Sequence, residues 1–144
     1  MKSLFSPKDV VSVVGISYRQ LQYWDKTSFI KPSAIHMGKY RNYTFQELVQ
    51  LKLAKILRES NVSIQKLRKV LESVKDLLPK VGCPLAECAF LIDGEKVLIF
   101  NGDVVMDPET SKQFFRFEVR ALREEVDRIF PDKDSVQLVR SAVS

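Results

Sequence analysis

Apolar and polar positions in the first eighty residues alternate with a helical period, and each stretch opens on a hydroxyl residue placed to accept backbone N–H bonds. Ser6 precedes Pro7 and Asp9, with Phe5 and Val10 spaced to pack across the cap. Ser17 stands before Gln20 with the pair Ile16 and Leu21, and Thr44 forms a capping-box pattern with Glu47, flanked by Tyr43 and Leu48. Ser63 repeats the arrangement with Val62 and Leu67, but Lys66 takes the acid's place. Four helices are predicted. Between the first two lie only Val14-Gly15-Ile16, a spacing that predicts a helix-turn-helix with Gly15 supplying a positive φ. Ser17, Leu21, Trp24 and Ser28 share one side of the second helix, and Arg19, Gln22, Tyr23 and Lys26 share another. Such a helix can be a plain amphipathic surface element or one that anchors by one side and reads a ligand with the other.

The fourth predicted helix carries Ile64, Leu67, Leu71, Val74 and Leu78, widened by Val70 and Leu77. That is about two heptads, short for an independent coiled coil, and Pro79, Gly82 and Pro84 interrupt the pattern. From residue 89 the chain changes to short β-rich runs at 90–92, 97–100, 104–106 and 114–117, the first three separated by Asp93-Gly94 and Asn101-Gly102. A small antiparallel meander is expected. A last helix is predicted from about Glu118 to Phe130, with Val119, Leu122, Val126 and Ile129 in one stripe and Pro131 at its end. The fold class expected is α+β. Residues 1–80 form one unit, 81–131 a small strand-and-helix module for subunit pairing or effector binding, and 132–144 a polar, mobile tail.

With 144 residues, 45% of them hydrophobic, the chain supports one ordinary core or two very small ones. The net charge of +5 is unevenly divided. Residues 1–80 hold fifteen Lys/Arg against six Asp/Glu, and residues 81–144 hold eight against twelve. The basic half therefore suits a polyanion. Residues 33–43 add an aromatic and basic loop containing His36, Lys39, Tyr40, Arg41 and Tyr43, fit for a short β wing on a phosphate backbone or for capping the core.

The series Val14-Gly15-Ile16-Ser17-Tyr18-Arg19-Gln20-Leu21-Gln22-Tyr23-Trp24-Asp25-Lys26, then Phe29-Ile30-Lys31-Pro32, then Tyr40-Arg41-Asn42-Tyr43 and Leu48, resembles the mercury-resistance-regulator (MerR) family of winged helix-turn-helix proteins over roughly residues 4–78. The resemblance implies that Tyr18, Arg19 and Gln20 lie in the major groove of DNA, Tyr23 on a phosphate, and Tyr40 and Arg41 in the wing. Ser17, Gln22 and Lys39 complete the candidate DNA-contacting set. Gln22 stands where the family usually has Arg, Trp24 where it has a second tyrosine, and Lys39 where a wing glycine is usual. A homodimer on a palindromic promoter site, distortion of that site and RNA polymerase as a partner are further implications.

Other chemistries are poorly supplied. Cys83 and Cys88 could bind a soft metal or sense redox state from a junction loop, but with His36 the sole histidine no four-ligand Cys/His site fits within one chain. A structural role for these thiols is the expectation. The lone histidine and the lack of a glycine-rich phosphate loop leave no assembled active site, and no cofactor is expected. A protein-binding adaptor with a degenerate helix-turn-helix is the remaining alternative. No apolar run is long enough to cross a membrane, no signal peptide is legible, and a cytoplasmic location is expected.

Overall fold

A computed structural model describes residues 2–36, 40–80, 82, 84–104, 107–109 and 114–131. The elements run β1 (Leu4–Phe5), α1 (Pro7–Val14), α2 (Tyr18–Lys26), β2 (Ala34–His36), β3 (Tyr40–Thr44), α3 (Phe45–Glu59) and α4 (Ile64–Leu77). After two 3-10 turns, Leu78–Lys80 and Leu85–Glu87, come β4 (Cys88–Asp93), β5 (Lys96–Asn101), β6 (Phe115–Glu118) and α5 (Val119–Ile129). The fold is α+β with two small antiparallel sheets.

Local chemistry sets the helix starts. The Ser6 hydroxyl accepts from Asp9 N at 3.1 Å while Asp9 Oδ2 accepts from Ser6 N at 3.0 Å. Thr44 and Glu47 form the same reciprocal pair, at 3.2 and 2.9 Å. Ser17 and Ser63 each accept one N–H, from Gln20 and Lys66. Gly15 ends α1 at φ 79, where its N–H donates to Val11 O. A Cβ there would suffer both the conformational penalty and a 3.0 Å approach to Lys55 Nζ.

The first sheet has the order β1-β3-β2. Strand β1 is not among the predicted elements, because Phe5 reads only as a helix staple; Leu4 and Phe5 also pair with Thr44 and Tyr43. The second sheet has the order β5-β4-β6, not the sequential order of a meander. β4 and β5 are joined by a two-residue turn with Gly94 at φ 58, as Asp93-Gly94 predicts. β6 then crosses back to the other edge of β4, where Phe90 faces Phe117 in the ladder. The physical reason is burial. Every residue of β4 from Cys88 to Ile92 is buried, so this strand needs a neighbour on each side. Of the expected run at 104–106, Val104 lies outside any strand and the other two residues are outside the described set, as is the tail from 132 onward.

One apolar core runs through both halves, from Phe5 through Leu48, Leu51, Leu67 and Val70 to Phe90, Phe117 and Val126. The α4 stripe is consumed internally, with Leu67, Val70, Leu71 and Val74 buried and only Ile64 substantially exposed. Polar ties follow the same seam. Arg123, itself buried, lies 4.7 Å over the Phe45 ring and bonds Asp127 at 2.8 Å. Lys52 Nζ reaches Val13 O at 3.3 Å and Glu125 Oε2 at 3.9 Å, and Phe130 meets Phe5 edge-on at 6.4 Å.

Phe90→Ala removes a fully buried ring and is expected to cost about 3–5 kcal/mol. Because the core is continuous, Trp24 fluorescence in the N-terminal half and far-UV dichroism should report one shared, lowered transition. Two separated transitions would contradict the shared core.

Candidate nucleic-acid interface

Helix α2 is held from behind and at both ends. Leu21 and Trp24 are buried, and the Trp24 ring meets Phe29 edge-on at 5.5 Å. Arg68 of α4 places its guanidinium 5.0 Å over the same Phe29 ring. At the start, the Ser17 hydroxyl takes the Gln20 N–H at 3.0 Å. At the end, Thr27 Oγ1 donates to Tyr23 O at 2.8 Å, Ser28 turns the chain at φ 60, and Phe29 N donates to Trp24 O at 2.9 Å. The side chains of the anchored face cannot rotate outward without emptying the core.

The opposite face is bare. Tyr18 and Tyr23 are 53% and 61% exposed, and Arg19, Gln22 and Lys26 are exposed as well. Gln20 is half-buried. Among the described residues, no hydrogen bond or ion pair engages the side chains of Tyr18, Arg19, Gln22 or Tyr23. Of the predicted set, Ser17 differs: its hydroxyl is already the helix cap. Donors next to a helix N-terminus, with its partial positive charge, suit an anionic surface such as a DNA groove. Among the described residues, the main contacts of the later elements with the preceding helices run from α5 to α1 and from β5 to α4, not to α2.

The wing is a β2–β3 hairpin pairing Ala34 with Asn42, Ile35 with Arg41 and His36 with Tyr40. Tyr40 and Arg41 thus fall at the start of β3, and Lys39 lies outside the described residues. Tyr43 is buried and serves the core. A contact invisible to local reading fixes the hairpin's base. Glu47 Oε1 accepts from Thr44 N at 2.9 Å and from Ser33 N at 3.2 Å, so a single carboxylate holds both legs of the wing. Arg68 and Lys52 were likewise missed, because their partners lie far away in sequence and no local spacing marks them.

Cys88 is buried and its thiol donates to Pro84 O at 3.3 Å; Cys83 is outside the described residues. Among the described residues no group of three or more His, Cys, Asp or Glu side chains is arranged to hold a metal. No helix among them is long and apolar enough to cross a membrane.

Residues 5–74 match the family model described as MerR HTH family regulatory protein. The chain is 35% identical over 66 residues to HTH-type transcriptional regulators of Mycobacterium bovis and of two strains of Mycobacterium tuberculosis. That similarity covers 44% of this chain and 29% of each relative, so the chain spans well under half the length of the proteins it matches.

Glu47→Ala removes the carboxylate half of the α3 capping box and leaves the N–H groups of Thr44 and Ser33 without their acceptor. Urea denaturation should register a loss of about 1–2 kcal/mol. Amide exchange at Ser33 and Thr44 should accelerate ahead of the rest of the chain.

Proposed function

We propose that this chain, a member of the MerR family of helix-turn-helix regulators through its residues 5–74, is a sequence-specific DNA-binding transcriptional regulator. The observation that carries this reading is the geometry of α2: anchored by Leu21 and Trp24, it turns Tyr18, Arg19, Gln22 and Tyr23 outward without internal partners among the described residues. The similarity to HTH-type transcriptional regulators of Mycobacterium supports it.

In the proposed mechanism residues 1–80 are the DNA-binding unit. Arg19 reads a base edge in the major groove, Tyr18 and Gln20 sit beside it, and Gln22 and Tyr23 meet the sugar-phosphate backbone. Ser17 holds the helix N-terminus against a phosphate. Lys39, Tyr40 and Arg41 of the wing supply further backbone contacts. Two copies, paired through residues 81–131, place their α2 helices in successive major grooves of an inverted repeat. Distortion of that repeat within a promoter then realigns the elements that RNA polymerase recognises. The place of action is the cytoplasm.

The variants separate specificity from positioning. Arg19→Ala should cost about 1–3 kcal/mol on the selected site and much less on random duplex. Arg41→Ala should weaken both and reduce the salt slope by about one unit. Fluorescence anisotropy on duplexes selected from genomic DNA, repeated over a range of salt, reads both effects. Equal losses on both duplexes for Arg19→Ala would remove the base-reading role.

The pairing step has its own readout. Sedimentation of the protein on a selected duplex should give two chains per inverted repeat, and binding should weaken when the half-sites are moved apart by half a helical turn. One chain per site, indifferent to spacing, would leave a monomeric binder.

A further inference from the structure

Away from the α2 face, a cleft of about 570 Å3 opens between the first two turns of α3, the end of α4 and the 3-10 turn at Leu85–Glu87. Phe45, Leu78 and Leu85 give it an apolar wall, Lys75 stands at its rim, and Glu47 lines one end. At its floor lies Gln50. This side chain is only 4% exposed, yet its amide has no hydrogen-bond partner among the described residues. No fully enclosed polar atom is left unsatisfied, so the Gln50 amide opens onto the cleft it lines. Its neighbours on α3, Val49 and Leu51, are completely buried, and an apolar residue would be the ordinary occupant of such a position.

A primary amide offers one acceptor and two donors. Buried amides ordinarily find partners inside the protein, and one that instead faces an apolar-walled recess is equipped to receive a complementary edge. We infer that the Gln50 cleft is a binding site for a small, uncharged molecule that joins an apolar body to a carboxamide or lactam edge. The apolar body packs on Phe45, Leu78 and Leu85, and the polar edge forms paired hydrogen bonds with Gln50. Glu47 and Lys75 bring one charge of each sign to the lining, so the cleft favours a ligand with no net charge. The same Glu47 accepts from both legs of the wing, so occupation of the cleft is felt where the wing joins α3. That last consequence rests on the DNA-binding reading; the binding itself does not.

The test uses the full chain without DNA. Benzamide is titrated against the 15N-labelled protein, with benzoate and toluene as matched probes lacking the neutral amide edge. Benzamide should shift the Gln50 side-chain NH2 signals and the backbone signals of Glu47, Lys75 and Leu85. Gln50→Leu should keep or raise the melting temperature and lower benzamide affinity by about tenfold or more, through the lost hydrogen bonds. Leu85→Trp, which enlarges a side chain of the apolar wall and leaves Gln50 in place, should lower it comparably. The inference fails if the Gln50 signals do not respond to benzamide, if benzoate or toluene shifts the cleft as strongly, or if Gln50→Leu binds benzamide as the parent does. None of these outcomes bears on whether the chain binds DNA, which anisotropy on selected duplexes reads separately.

Discussion

Burial of α3 is the constraint on which the rest of the structure depends. Leu48, Val49, Leu51, Leu53, Ala54 and Leu57 are all enclosed, so this helix is covered on more sides than a surface helix with one apolar stripe. Its neighbours include α1, α4, β1 and β3, and α5 reaches it through Arg123 and Lys52. An element enclosed in this way cannot shift without disturbing everything packed on it. The helix-turn-helix is therefore mounted on a rigid support, and α2 can afford an unpartnered polar face because its stability is secured from behind.

The same constraint explains how a small C-terminal segment persists. Three short strands and one helix make a marginal unit alone. Here the inward residues Phe90, Ile92 and Phe117 join the core of the preceding helices, and α5 adds Val119, Leu122 and Val126. The second sheet and α5 thus complete the N-terminal half as much as they extend it. The α4 stripe, which in sequence looks like the beginning of a coiled coil, is occupied by this packing.

Legibility in the sequence followed the range of the interaction. All four N-terminal caps, the Gly15 turn and the Asp93-Gly94 turn depend on residues within four positions of one another, and each forms at the predicted place. The buried and exposed sides of α2 were equally readable, since the helical period alone assigns them. The strand order of the second sheet was not, because a local pattern identifies strands without saying which edge a later strand will choose. Strand β1, the clasp at Glu47 and the position of Arg68 share that character. Gln50 is illegible for the opposite reason: a glutamine in a helix looks ordinary until its neighbours prove to be enclosed.

The edge-on contact between Phe5 and Phe130 has a consequence in time. These rings stand near opposite ends of the described chain, and Lys2 spans both, at 6.0 Å from one and 5.0 Å from the other. A ribosome releases Phe5 first and Phe130 only after nearly all the intervening residues. Until then α1 lacks its final cover, and the nascent polypeptide carries an unsealed apolar seam while the intervening residues are made.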